Sequence, residues 1–103
     1  AQTEEEWHFE HKANQHKALM DSLPVIEEVF NEFEKVSGRK YNLVETYKLD
    51  DADVALVVMG SAYETAMLAV DKAREEGIKA GLLMPRVFRP FPYNEVAKNL
   101  KNV

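Results

Sequence analysis

Apolar residues in the first third of the chain recur at helical spacing. Leu19, Leu23, Ile26, Phe30 and Phe33 step by four, three, four and three, which puts them on one helical face. Ala18, Val25, Val29 and Val36 widen that stripe beyond a narrow seam, so the helix is expected to bury a broad face. Most residues from Thr3 to Lys35 are good helix formers, and Thr3 with Glu6 fits a capping box. Pro24 lacks an amide proton and crowds the turn before it. The pattern therefore predicts a break near Asp21–Leu23, with Ser22 or Leu23 as cap and Pro24 in the first turn of a second helix. The turn signal Ser37-Gly38 closes this arm.

The period then changes. Val54-Ala-Leu-Val-Val-Met59 is continuously apolar, which suits a parallel strand covered on both faces. Gly60-Ser61 follows, and Ser61 with Glu64 reads as a capping box opening a helix whose apolar face is Ala66, Ala69, Val70 and Ala73. Gly77 ends that helix, Ile78–Met84 is a second strand stopped by Pro85, and Tyr93–Leu100 is a shorter helix. The connection fits one right-handed strand–helix–strand crossover. Asn42–Tyr47 alternates and could be another strand, followed by the charged turn Asp50-Asp51-Ala-Asp53.

Composition sharpens this division. The 103 residues are 46% apolar and 30% charged, as expected of an ordered domain. The longest apolar run is far too short to span a bilayer. The absence of cysteine excludes a disulfide framework, a thiolate nucleophile and protein-ligated iron–sulfur clusters within these residues. A net charge of −5 argues against nucleic acid or an anionic membrane as the main partner. Residues 1–38 carry three Lys/Arg against nine Asp/Glu, and residues 39–103 carry ten against nine. The chain thus reads as a long acidic helical arm, 1–38, followed by a mixed β/α unit, 39–103.

The strand inventory of that unit does not close. Two buried-type parallel strands and one doubtful strand cannot make a doubly covered sheet with protected edges, so the expectation is an incomplete parallel-sheet α/β unit, a piece of a larger polypeptide.

Three segments could carry chemistry. Gly60-Ser61, between a strand's carboxyl end and a helix amino terminus, is where open α/β sheets place anions. It is one glycine without a glycine-rich cradle or a following Lys-Ser/Thr pair, which favours a plain tight turn. Glu4, His8 and His11 share a helical face, with His16 further on, but lack the close second ligand pair of a zinc motif. The nearby Trp7 and Phe9 are too apolar for a free tail. Arg86-Val-Phe-Arg-Pro-Phe-Pro92 is the most unusual stretch. Pro90 and Pro92 fix an extended backbone, Phe88 and Phe91 point to different sides, and Arg86 and Arg89 offer planar donor forks. Local physics leaves two readings level: a docking surface between domains or subunits, and a loop pinned to its own core with solvated arginines. No nucleophile–base arrangement or pair of catalytic acids stands out, so no catalytic residue is assigned.

Asp51-Ala-Asp-Val-Ala-Leu-Val-Val-Met-Gly-Ser-Ala-Tyr-Glu-Thr65, Arg74-Glu-Glu-Gly-Ile-Lys-Ala-Gly-Leu-Leu83 and Arg86-Val-Phe-Arg-Pro-Phe-Pro92 in conjunction resemble the alpha subunit of 2-oxoacid:ferredoxin oxidoreductases of the pyruvate synthase type. The matching part is that subunit's second domain, similar to the carboxyl-terminal domain of transketolase, and the resemblance covers about residues 17–100. Arg89 stands where oxoglutarate-type relatives typically have tryptophan, which favours the pyruvate or branched-chain type. The resemblance implies a cytoplasmic thiamine-diphosphate enzyme that decarboxylates a 2-oxoacid, reduces ferredoxin through iron–sulfur clusters and forms an acyl-coenzyme A. The thiamine-contacting residues and cluster cysteines lie outside this region in the family. The role expected here is therefore structural, with no cofactor in these residues, no nucleic-acid or membrane partner, and Arg86, Phe88, Arg89 and Phe91 as interface candidates. Two other readings compete: a stand-alone Rossmann-like module binding a small molecule or anion at Gly60-Ser61, and a helical protein-interaction module using the arm.

Overall fold

The computed structural model describes residues 5–103, with side chains from Phe9 onward. The Thr3/Glu6 capping box, Trp7, and the Glu4 and His8 members of the histidine tract lie outside what is described. The chain forms two compact units, one reaching Lys40 and the other Tyr41–Val103.

The first unit is two consecutive helices, α1 (Glu5–Asp21) and α2 (Leu23–Ser37), separated by Ser22 alone. The break falls at Ser22, and Pro24 sits in the first turn of α2, where its missing amide proton costs nothing. Ser22 does not cap through its side chain. Its backbone is already helical, and its hydroxyl donates backward to the Leu19 carbonyl. Gly38, at φ +75°, ends α2 in the left-handed conformation and returns its N–H to Glu34 O at 2.8 Å. Leu19, Leu23, Ile26 and Phe30 are half-buried, but Val25, Val29, Phe33 and Val36 are exposed. The broad stripe expected from the pattern is therefore only partly covered: α1 is polar nearly all round and meets α2 only around Ser22, so it does not lie over the stripe.

The second unit orders its elements as β1 (Val44–Tyr47), β2 (Val54–Val57), α3 (Ala62–Glu75), β3 (Ala80–Pro85) and α4 (Tyr93–Leu100). The spatial strand order is β1-β3-β2. β2 runs parallel to β3, with Leu56 opposite Leu82, and β1 runs antiparallel, with Thr46 opposite Leu83. The sheet is thus mixed, which corrects the expectation of a parallel one: Asn42–Tyr47 enters from the opposite direction. The Val54–Val57 strand is also not the covered one. Val54, Leu56 and Val57 keep 44–52% exposure at the sheet's edge, whereas every residue of β3 is buried.

β3 is the spine of the unit. Leu82 and Leu83 are fully buried and, as adjacent strand residues, point to opposite faces. On one face, Ala66 and Val70 of α3 pack with Ala80 and Leu82, joined by half-buried Met67 and Ala73. Ala69, expected on that face, is exposed, and Met67 takes its place. On the other face, Gly81 lets the 49–52 turn approach, since a Cβ there would lie 2.9 Å from Leu49 Cα and Ala52 Cβ. At its far end α3 closes through Gly77, at φ +87°, with Gly77 N–H to Arg74 O and Ile78 N–H to Ala73 O.

Arg74 ties the turn down. Its Nε donates to Ala80 O at 2.8 Å, and its Nη2 donates to Lys48 O and Asp51 Oδ1 at 2.7 Å. This guanidinium holds the Asp51 carboxyl below the usual carboxylate range. Asp71 accepts hydrogen bonds from Lys48 Nζ at 2.6 Å and Tyr47 OH at 2.8 Å, and these two, in that order, pull its pKa down.

Candidate docking surface

Parallel strands end at the same edge of a sheet, so the topology brings together the two segments singled out in the second unit. Val58 N–H donates to Leu83 O just past β2, ahead of Gly60-Ser61. Arg86 leaves β3 at that edge, and its N–H donates to Leu43 O at the entrance to β1.

The Gly60-Ser61 turn is a plain one. Gly60 adopts φ +64°, which glycine reaches without steric cost, and its carbonyl accepts Tyr63 N–H at 3.2 Å. Ser61 already has helical backbone angles, φ −66° and ψ −17°, and makes no side-chain cap. The expected Ser61/Glu64 capping box does not form, because that box needs an extended backbone at the cap. No polar or charged side chain is buried among the described residues, so none waits there for a ligand.

The 86–93 segment is built differently. Pro90 and Pro92 are buried and anchor it. Phe88 and Phe91 meet edge-to-face at 6.4 Å between centroids, and Phe91 meets Tyr93 at 5.0 Å. Phe91 is half-buried, while Phe88 and Tyr93 are 55% and 58% exposed. Arg89 lies over the Phe88 ring, 5.6 Å from its centroid. Arg86 behaves otherwise. Its guanidinium stacks 4.6 Å above the Tyr41 ring, with Nη2 3.5 Å from Glu45 Oε1, an oxygen that also accepts Asn42 N–H. The four candidates thus divide: Arg86 and Phe91 turn toward their own unit, and Phe88 and Arg89 face out.

Sequence reasoning missed four neighbours of this edge. Tyr93 reads as a helix start, yet it completes the aromatic row, and the 88-91-93 spacing was the available signal. Tyr41 and Glu45 hold Arg86 across about forty residues of sequence, which no local pattern reveals. Tyr63 sits close enough for desolvation, then the Glu45 carboxylate, to push its phenol up.

Elsewhere, no group of three or more His, Cys, Asp or Glu placed to hold a metal ion occurs among the described residues. No described helix is long and apolar enough to cross a membrane.

Fold and edge together define an α/β unit with a small mixed sheet, one apolar strand left open, and a rim of aromatic rings with Arg89. A profile of the pyruvate:ferredoxin oxidoreductase core domain II family matches residues 52–103. Pyruvate synthase subunit PorA of Thermotoga maritima is 41% identical over 95 residues, covering 92% of this chain and 24% of the relative. PorA of Pyrococcus horikoshii is 49% identical over 79 residues, 77% of this chain and 20% of its own length. The alpha subunit of NADH-dependent phenylglyoxylate dehydrogenase of Aromatoleum evansii is 42% identical over 94 residues, 90% of this chain and 22% of that subunit. The chain belongs to the pyruvate:ferredoxin oxidoreductase core domain II family. It spans about a quarter of the length of the curated relatives it matches.

Proposed function

We propose that this chain serves as a structural docking layer of the alpha subunit in a cytoplasmic oxidoreductase that decarboxylates a 2-oxoacid, pyruvate above all, to an acyl-coenzyme A and reduces ferredoxin. The observation that carries this reading is the sheet's carboxyl edge. Where an open α/β sheet would hold a ligand cleft, this one presents exposed Phe88, Arg89 and Tyr93 and no buried polar side chain among the described residues. Aromatic anchors with arginine suit a protein interface. Other subunits or domains of the oxidoreductase are the partners, and neither nucleic acid nor membrane is one.

Thiamine diphosphate and iron–sulfur clusters belong to the implied holoenzyme, but the residues here fit neither. The chain has no cysteine to ligate iron. The Gly60-Ser61 turn carries no basic side chain, and the first turn of α3 adds an acidic one, Glu64, which opposes a diphosphate.

We also read the second unit as the first part of a transketolase carboxyl-terminal-like domain. α4 packs on β3 but contributes no side chain to the cluster beneath α3, so we place it over the opposite face. A right-handed crossover from β3 through such a helix returns a parallel strand beside β2. That neighbour would cover the apolar edge of Val54, Leu56 and Val57.

The test has two arms. Calorimetric titration of the chain with thiamine diphosphate and magnesium, or with pyruvate, is expected to give no binding heat. Phe88→Asp in the full-length alpha subunit is expected to reduce assembled complex by native mass spectrometry. Measurable cofactor binding to the chain, or unaltered assembly of the variant, would overturn the proposal.

A further inference from the structure

Charge is segregated within the second unit. From Arg86 to Val103 the chain carries four Lys/Arg against one Glu, although its net charge is −5. α4 divides lengthwise. Glu95, Val96, Asn99 and Leu100 are half-buried and share the side turned to the unit, where Asn99 Nδ2 also donates to Glu95 O at 2.7 Å. Tyr93, Ala97 and Lys101 recur every fourth residue on the exposed side, with Lys98 beside them. Lys101 keeps helical angles just past the helix, φ −56° and ψ −36°, so that side continues from Tyr93 to Lys101, about 12 Å at the helical rise. The row of rings Phe88, Phe91 and Tyr93 joins it to Arg89. Arg86 is already held by Glu45, but Arg89, Lys98 and Lys101 form no ion pair among the described residues.

We infer that Arg89, Tyr93, Lys98 and Lys101 form one cationic strip that docks an acidic surface of another subunit of the oxidoreductase; this rests on the docking reading above and names the chemistry of its partner. Every residue of the strip belongs to the second unit. A guanidinium lying over a ring keeps its fork free for a carboxylate, and the rings beside it shed water around the pair. The lysines are flexible point charges, which speed the meeting of chains that find each other by diffusion. A domain tethered within the same subunit gains nothing from such steering, so the strip suits another subunit. Nucleic acid is the poorer match, because these cations neutralise few phosphates while the rest of a chain of net charge −5 repels them.

Carbodiimide, which joins an amine to a carboxylate in contact with it, identifies the partner in the assembled oxidoreductase. Lys98 or Lys101 is expected to join Asp or Glu of another subunit, read by mass spectrometry of the digested complex. Joining only within the alpha subunit, its helical arm included, would overturn the inference, as would no joining at either lysine. Native mass spectrometry of the complex measures the strength of the contact, with circular dichroism confirming that each variant folds. Lys98→Glu with Lys101→Glu should weaken assembly roughly tenfold or more and make it less sensitive to salt. Lys98→Arg with Lys101→Arg keeps the charge and should assemble as the parent does. If the charge reversal leaves assembly unchanged while Phe88→Asp lowers it, the docking role stands and the acidic partner falls. If neither change matters, both readings fall. Retention of the chain on double-stranded DNA at about 0.15 M salt, lost on charge reversal, would assign the strip to nucleic acid and overturn the inference.

Discussion

Replacing Gly81 by alanine probes the tightest contact in the second unit. A Cβ at this position would sit 2.9 Å from Ala52 Cβ, Leu49 Cα and Leu49 Cδ1. Ordinary carbon contacts lie at about 3.5–4.0 Å, so the neighbours must retreat by about 0.6–1 Å. The leucine tip could rotate away, but Leu49 Cα is backbone and Ala52 is a stub. Their turn is held by Ala52 N–H to Leu49 O, Asp53 N–H to Lys79 O and the Arg74 bonds to Lys48 O and Asp51. Overpacking of this kind costs about 1–3 kcal/mol. Against it stands a gain of about 0.5–1 kcal/mol, because alanine restricts the unfolded chain more than glycine does. The steric term wins at mid-range, leaving a net loss of about 1 kcal/mol and at most about 2.5 kcal/mol. With a urea slope near 1 kcal/mol/M for so small a unit, the midpoint should fall by about 1 M or more. All four tyrosines lie in the second unit, so tyrosine near-ultraviolet circular dichroism reports its unfolding. Adding Ala52→Gly to Gly81→Ala should recover part of the loss, since one of the three contacts disappears. A Gly81→Ala chain as stable as the parent would refute the close-approach argument.

Leu82→Ala empties the fully buried site beneath Val70 and should cost about 2–5 kcal/mol, a large share of a small unit's stability, read from the same urea curves; a loss below 1 kcal/mol, taken as roughly the floor of that range, would mean the site collapses freely. Asp71, held low by Lys48 and then Tyr47, stabilises the fold fully above the unfolded carboxyl value of about pH 4 and loses that contribution as pH falls through its lower folded value. Urea midpoints followed from about pH 5 to about pH 2 should therefore fall less steeply for Asp71→Asn than for the parent, and equal slopes would count against the network. Val57→Lys charges the open edge of β2, so turbidity of concentrated solutions should drop while stability changes by less than about 1 kcal/mol. Unchanged turbidity would mean that this edge does not drive association.

Much of the local structure was legible because it is set by near neighbours along the chain. Pro24 fixes where the arm breaks, Gly38 and Gly77 supply the left-handed residues that end two helices, and Pro85 stops a strand. The family resemblance was legible too, since it rests on contiguous motifs that the domain II profile also covers. The apolar run Val54–Met59 misled in one respect. Its composition describes a strand covered on both faces, and within this chain it is an edge. One capping reading failed: Ser61 has helical backbone angles, and the capping box needs an extended residue there, whereas Ser22 does stand at the N-cap of α2, though without a side-chain bond.

Composition and periodicity by themselves determined every element type but that of the doubtful strand β1, the glycine-closed helix ends, the acidic character of the arm and the unusual Arg-Val-Phe-Arg-Pro-Phe-Pro stretch. The tertiary structure decided that β3 is the spine, that β1 runs antiparallel, and that Arg86 turns inward to Tyr41 and Glu45 while Arg89 faces out with Phe88. Strand order and the partners of a guanidinium depend on which distant segments meet, and that depends on packing summed over the whole unit. No window of neighbouring residues contains it.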